Sequence, residues 1–169
     1  GSRTLGWPEL RITAEEVESH FPAGIPMNIA LLTGQPSGFV DVDLDSPEAA
    51  ALADAFLPKT GMVSGRASKP RSHRGYRTDL TTASYAANAV TKDEDVMLVE
   101  ILSTGRAVNV PPSVHPSGES YIWHEFGEPT AVDADELLHS VTHLAVASYL
   151  ALRWPGEGQR HEYCLAAAG

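Results

Sequence analysis

The sequence predicts an α+β domain built around a mainly antiparallel sheet, and three observations predict it. Short apolar segments with strand-like alternation recur between Gly, Pro, Asn and Ser turn signals. A single long amphipathic helix comes late, capped by Asp133 and running to about Trp154, with Leu137, Val141, Leu144 and Ala145 on one face. Strands joined by tight turns, rather than a regular strand–helix alternation, disfavour a parallel doubly wound sheet. The 169 residues, 43% hydrophobic and 20% charged, suit one globular domain. The expected boundaries are 3–154 for that domain and 155–169 for a fraying tail or linker.

Taken in order, Thr13-Ala14-Glu15-Glu16 forms a capping box that starts a short helix ending by Pro22. Asn28 to Leu32 reads as a buried strand, closed by the turn Thr33-Gly34-Gln35-Pro36-Ser37-Gly38. Phe39 to Asp45 alternates so strictly that Asp41, Asp43 and Asp45 share one face and Val40, Val42 and Leu44 the other. Ser46 caps a helix with Pro47 at its first position, continuing over Glu48 to Leu57. Met62-Val63-Ser64 and Ser72 to Arg77 read as strands flanking a basic loop. Val96 to Leu102 is an apolar strand interrupted by one charge, Glu100. A hairpin turn at Ser103-Thr104-Gly105 is expected to return it through Ala107 to Val110, and Tyr121 to His124 is a further short strand.

Composition removes several function classes. No apolar run approaches the ~18–20 residues of a membrane span, and no signal peptide pattern opens the chain. The lone Cys164 forms no internal disulfide and no cysteine-based zinc site, so a reducing, intracellular setting is expected. Gly1-Ser2 reads as a cloning remnant. The net charge of −10 argues against a protein that coats nucleic acid by charge alone. That average hides an asymmetry. Ala55 to Thr78 holds no acid but carries Lys59, Arg66, Lys69, Arg71, Arg74 and Arg77, whereas Asp41 to Asp54 holds acids and no base. An acidic cluster beside a basic one is what a metal-plus-phosphate site needs.

Three features carry candidate chemistry. Carboxylates two apart on a strand lie ~6–7 Å apart on one face, where they repel unless a cation, most economically a divalent metal, offsets them. Either Asp41/Asp43 or Asp43/Asp45 is the working pair, because all three span ~13 Å. An EF-hand is excluded, since its Gly and Glu positions counted from Asp41 hold Ser46 and Leu52. A haloacid-dehalogenase-type phosphatase is disfavoured because Asp45 stands where Thr or Val belongs. The second feature is Ser64-Gly65-Arg66-Ala67-Ser68-Lys69-Pro70-Arg71-Ser72-His73, whose amides and side chains suit a polyphosphate although no Walker loop occurs. The third is Glu100, costly in an apolar strand unless it faces a cation or solvent. His139 and His143 lack the His-Glu-x-x-His glutamate and read as a surface pair, and no Gly-x-Ser-x-Gly elbow supports acyl transfer.

In this order the features resemble the archaeo-eukaryotic primase superfamily, more narrowly the bifunctional primase–polymerase (prim-pol) domain of plasmid, phage and prophage replication proteins. The lead-in Asn28 to Gly38, the strand-borne acids, the Ser64 to Arg77 stretch ending in Ser72-His73, and Glu100 followed by Pro111-Pro112-Ser113-Val114-His115-Pro116-Ser117-Gly118 carry the resemblance. It spans Gly6 to Trp123. It implies a sheet with an RRM-like catalytic half plus a smaller α/β unit, and two-metal nucleotidyl transfer with Mg²⁺ or Mn²⁺ held by Asp43, Asp45 and Glu100. Asp41 becomes an extra upstream carboxylate, and Asp41→Asn is expected to keep substantial activity. His73, with Arg66, Lys69 and Ser72, would hold the triphosphate; Ser113 and His115 are counted with these nucleotide-binding residues. The implied partners are dNTP or NTP, a DNA template and primer, and a helicase domain or protein outside this chain, with no membrane. Two other readings stay open: a catalytically weak nucleotide- or DNA-binding module of a replication initiator, and a metal-dependent phosphoesterase or nuclease.

Overall fold

A computed structural model of the chain describes residues 6–81, 84–90 and 95–168. Nine strands and four α-helices follow one another among them: α1 (Val17–His20), β1 (Ile29–Leu32), β2 (Phe39–Leu44), α2 (Pro47–Phe56), β3 (Met62–Arg66), β4 (Lys69–Arg77), β5 (Ser84–Val90), β6 (Asp95–Leu102), β7 (Ala107–Val110), β8 (Ile122–Phe126), β9 (Thr130–Ala131), α3 (Ala134–Leu152) and α4 (Arg160–Ala168). The main sheet runs β5-β6-β2-β4-β3-β8, antiparallel throughout, and β9 alone joins β4 in parallel. β1 and β7 form a separate antiparallel pair. This is the mixed, mainly antiparallel α+β architecture the sequence predicts.

The local signals act where the sequence puts them. The Glu16 carboxylate accepts from the Thr13 amide at 2.9 Å, entering a short 3-10 turn and α1. Ser46 Oγ accepts from the Ala49 amide at 3.1 Å, with Pro47 at the first turn of α2, where no amide partner is needed. Asp133 accepts from the Asp135 and Glu136 amides to start α3.

The alternation of β2 decides the layering. Val40, Val42 and Leu44 point to one face and pack under Ala49 and Ala53 of α2 and Leu137, Val141 and Leu144 of α3, with Val99 and Ile101 of β6 beside them. Burying a side chain of this size contributes roughly 1.5–3 kcal/mol, so this helix-covered face is the main source of stability. On the opposite face Phe39, Val108 and Val110 make a smaller apolar cluster with Leu31, Met62 and Trp123, seating the β1–β7 pair over half of the sheet. The open half holds Asp43 and Glu100, while Asp41, 2% exposed, lies at the edge of that cover.

Four expectations are corrected. Ala107 to Val110 does not return along Val96 to Leu102: β6 already has β2 on one edge and β5 on the other, so β7 turns away to pair with β1. Thr33 fixes that departure, its hydroxyl donating to the Ser103 carbonyl at 2.6 Å and its amide to the Arg106 carbonyl at 3.0 Å. β1 is half-buried rather than buried, with Ala30 exposed. The stretch Ser64 to His73 is not a loop, because β3 and β4 extend through it and only Ala67 and Ser68 are left to turn. The segment after Pro155 is not wholly irregular: α4 forms there, and Tyr163 meets Trp154 edge to face at 5.6 Å, though none of its residues is buried. Among the described residues no helix is long and apolar enough to cross a membrane.

Candidate active site

The acidic face is assembled by register. Asp43 stands opposite His73 on β4 and opposite Glu100 on β6, while Asp41 stands opposite Gly75 and Leu102. Directly opposed residues share a face, so three adjacent strands bring Asp41, Asp43, His73 and Glu100 together. Asp45 follows at the end of β2, its amide donating to the Leu98 carbonyl at 3.0 Å. Residues 30 and 57 positions apart in sequence, His73 and Glu100 from Asp43, thus become its neighbours through strand pairing alone.

His73 is the hub. Its Nδ1 donates to Asp41 Oδ2 at 2.8 Å and lies 3.7 Å from Asp43 Oδ1. Burial by itself would lower its pKa, but the Asp41 hydrogen bond and charge, with Asp43 and Asp45 behind it, push it up to about 9. At neutral pH it is an imidazolium. Asp43 is pushed up to about 7, first by burial and then by the like charges of Asp41 and Asp45, against the opposing pull of His73 and Lys69. Glu100 is also raised, by burial foremost, with Asp45 adding to the effect and Arg106 opposing it. Asp41, 2% exposed, is the most deeply set of these acids and is spent on His73.

The basic stretch is basic in sequence but not in space. Lys69 Nζ sits on Asp45 Oδ1 at 2.8 Å, Arg66 on Glu119 at 2.7 Å, Arg71 on Glu125 at 2.7 Å and Arg74 on Asp54 at 2.7 Å. Arg77 lies 4.0 Å from Glu128. The acids come from segments far away in the chain, which is why composition of the stretch alone suggests an open cationic surface.

Of the residues expected here, Asp43, Asp45, His73, Glu100 and Lys69 are brought together. Ser72 is not: strand alternation turns it to the helix-covered face with Arg74, and it is 2% exposed. Ser113 is fully buried and its hydroxyl is used elsewhere, accepting from the Ile29 amide at 2.8 Å and donating to the Ile29 carbonyl at 3.0 Å. It ties β1 down. His115 pairs through Nδ1 with the Ser117 hydroxyl at 2.8 Å, and its ring lies 6.2 Å from that of Tyr121. Two residues were not singled out in the sequence. Tyr121 stands between His115 and His73, 5.8 Å from the latter, and is raised in pKa chiefly by burial. Glu119 gathers Arg66 and Ser68, a contact across more than fifty residues that no local pattern announces. His139 and His143 are exposed on α3, as a surface pair should be.

A divalent metal needs several oxygens at 2.0–2.6 Å. Among the described residues no three His, Cys, Asp or Glu side chains converge closely enough to hold an ion. The partners explain it: Lys69 occupies Asp45 and His73 occupies Asp41. What remains is Asp43 facing Glu100 in register, two hard oxygen donors whose pKa values burial has raised, the mark of carboxylates short of positive charge. In kind, Asp43 and Glu100 fit a hard cation, whereas Asp45 is held by Lys69.

No curated protein and no solved structure matches the chain. Residues 6–135, from the lead-in before α1 to the first turn of α3, match the family model Prim-Pol, described as bifunctional DNA primase/polymerase, N-terminal. That span takes in every residue of the acidic face and most of the chain, so the chain belongs to the Prim-Pol family, whose activity is in general metal-dependent nucleotidyl transfer.

Proposed function

We propose that this chain carries out template-directed nucleotidyl transfer, extending a DNA primer with nucleoside triphosphates in the replication of a mobile element or phage. The observation that carries the reading is the three-strand register that faces Asp43 with Glu100 and His73, with Asp45 at the strand end. Asp43, Asp45 and Glu100 would hold Mg²⁺ or Mn²⁺. When bound, such ions lower the pKa of the primer 3′-hydroxyl and brace the leaving pyrophosphate. His73, charged and fixed by Asp41, is suited to hold phosphate oxygens in line for attack. Lys69, 36% exposed along its side chain, is free to swing from Asp45 to phosphate. Arg66 would add a forked donor at the hairpin tip. The apolar cover of Val108, Val110 and Trp123 keeps water from the Asp41–His73 end of the site.

With this function goes the primase–polymerase fold: the main sheet under α2 and α3 as the RRM-like catalytic half, 3–154 as the catalytic domain and 155–169 as its tail. Nucleotide, template and primer are the substrates, and a helicase acts beside it. The test is extension of a labelled primer with dNTP or NTP and Mn²⁺. Asp43→Asn, Asp45→Asn and Glu100→Gln each lose at least about 100-fold, the scale of removing a major transition-state stabiliser. These isosteric changes leave packing intact, and the Asp43 variant is at least as stable as wild type because repulsion is relieved. Full activity in any of the three, or extension in excess EDTA, sinks the assignment. Shortening of the DNA without nucleotide transfers it to phosphoesterase chemistry.

A further inference from the structure

The tip of the β3–β4 hairpin carries a cradle of hydrogen-bond donors with one occupant. Glu119 Oε1 accepts from the Ser68 backbone amide at 2.7 Å. Glu119 Oε2 accepts from Arg66 Nη1 at 2.7 Å, from Ser68 Oγ at 2.8 Å and from Ser117 Oγ at 3.1 Å. An ordinary surface ion pair uses one or two such bonds and contributes little. Here a single carboxylate draws an arginine, two hydroxyls and a main-chain N–H from two segments more than forty residues apart. That donor set, turn amide plus hydroxyls plus guanidinium, is the one that proteins present to phosphate oxygens. The concentration of donors holds the Glu119 carboxyl down at about 2, the Ser68 hydroxyl and then Arg66 being the leading causes.

Position and exposure add to this. The cradle adjoins the candidate active site: Arg66 is paired in register with Lys69, whose ammonium lies on Asp45, and Ser117 holds His115 next to Tyr121. The occupant sits on a short turn between Pro116 and Ser120, with Gly118 at φ +89, and its side chain is 26% exposed. It can leave by side-chain rotation without unpairing a strand.

We propose that the Arg66–Ser68–Ser117 cradle is a phosphate subsite for the nucleotide's polyphosphate and that Glu119 is its internal competitor, a carboxylate that fills the subsite in the free protein and is expelled by the ligand. The proposal rests on the nucleotidyl-transfer reading and deepens it, by adding a built-in threshold to nucleotide binding. A carboxylate matches the shape and sign of two phosphate oxygens but carries one charge, so a polyphosphate with several charges outcompetes it while a monophosphate or a carboxylate metabolite does not. The apparent dissociation constant is the intrinsic one divided by the fraction of time the cradle is empty, so an occupant present nine-tenths of the time weakens binding about tenfold.

The experiment is calorimetric titration of inorganic tripolyphosphate into the full chain in EDTA, which keeps metal out of the reading. Glu119→Gln, which keeps size and loses charge, binds tripolyphosphate at least about tenfold tighter than wild type. Glu119→Ala moves in the same direction, and adding Arg66→Ala to either abolishes the gain. Equal or weaker binding by the Glu119 variants overturns the proposal and assigns Glu119 to structure alone, as does unfolding of both. Binding by no chain at all overturns it together with the phosphate-holding part of the functional reading. Tight binding by the variants with no primer extension leaves the subsite standing and sinks nucleotidyl transfer instead.

Discussion

At the level of single residues, the site is governed by which carboxylate keeps which cation. The alternation of β2 is enough to put three acids on one face, and the sequence shows it. It does not show that Asp41 is 2% exposed and bonded to His73, because that contact depends on which strand lies beside β2. Asp41, read in sequence as an extra upstream carboxylate, is in the structure the partner that fixes His73. The pairing has a pH signature in the metal-free protein. His73 is raised from 6.5 to about 9, so its contribution to stability is complete below 6.5 and lost as pH climbs through 9. Asp43 is raised from 3.8 to about 7, so burying it costs stability as pH climbs from 3.8 through 7. Both effects have the same sign. Thermal midpoints measured in EDTA therefore fall steadily from about pH 4 to 9, and Asp43→Asn flattens the acid half of that fall. A midpoint that rises with pH over this window would refute the burial of both groups as described.

At the level of elements, the misread stretch is the most instructive. Gly, Ser, Lys, Pro and Arg between Ser64 and His73 look like a loop because each residue is a poor strand former on its own. The structure makes them a hairpin because the charges find acids across the sheet, and because Gly65 allows two strands to close at a bulge. A Cβ on Gly65 would lie 2.5 Å from the Lys69 carbonyl oxygen and 2.6 Å from the Arg71 amide, backbone on both counts, so nothing nearby can give way. Gly65→Ala is expected to cost about 1–3 kcal/mol, the range for overpacking, and to pull Arg66 and Lys69 out of register. Urea titration reads the first effect and a raised KM for nucleotide with little change in kcat reads the second. Stability and KM both at wild-type values would mean that the bulge does not matter. The misread return of β7 has a different cause: adjacency in sequence suggests a hairpin, but the edges of β6 are already filled, and edge occupancy is a property of the whole sheet. β5 and β9 went unread for the same reason, being strands only by virtue of the partners they meet.

Across the whole molecule, hydrophobic patterning was legible and charge placement was not. The two faces of β2 assign the helix layer and the acidic layer correctly from sequence, since period-two alternation is a local property. The basic stretch, by contrast, reads in sequence as a run of free cations suited to a polyphosphate, and its arginines and Lys69 are instead matched one by one with Glu119, Asp45, Glu125, Asp54 and the more distant Glu128. A net charge of −10 is then not offset by any open cationic face that this stretch could provide. Paired cations release few counterions when DNA binds, and each phosphate neutralised contributes about −0.9 to the slope of log K against log salt. Affinity of the isolated chain for primer–template, measured by fluorescence anisotropy across a salt series without nucleotide, is therefore expected to show a slope shallower than about −3. Glu125→Gln, which frees Arg71 from its partner 2.7 Å away at a half-exposed site, should steepen that slope by about one unit. A wild-type slope already as steep as that of an open basic groove would mean that the ion pairs open on DNA, and that these acids hold the cations in reserve rather than cancel them.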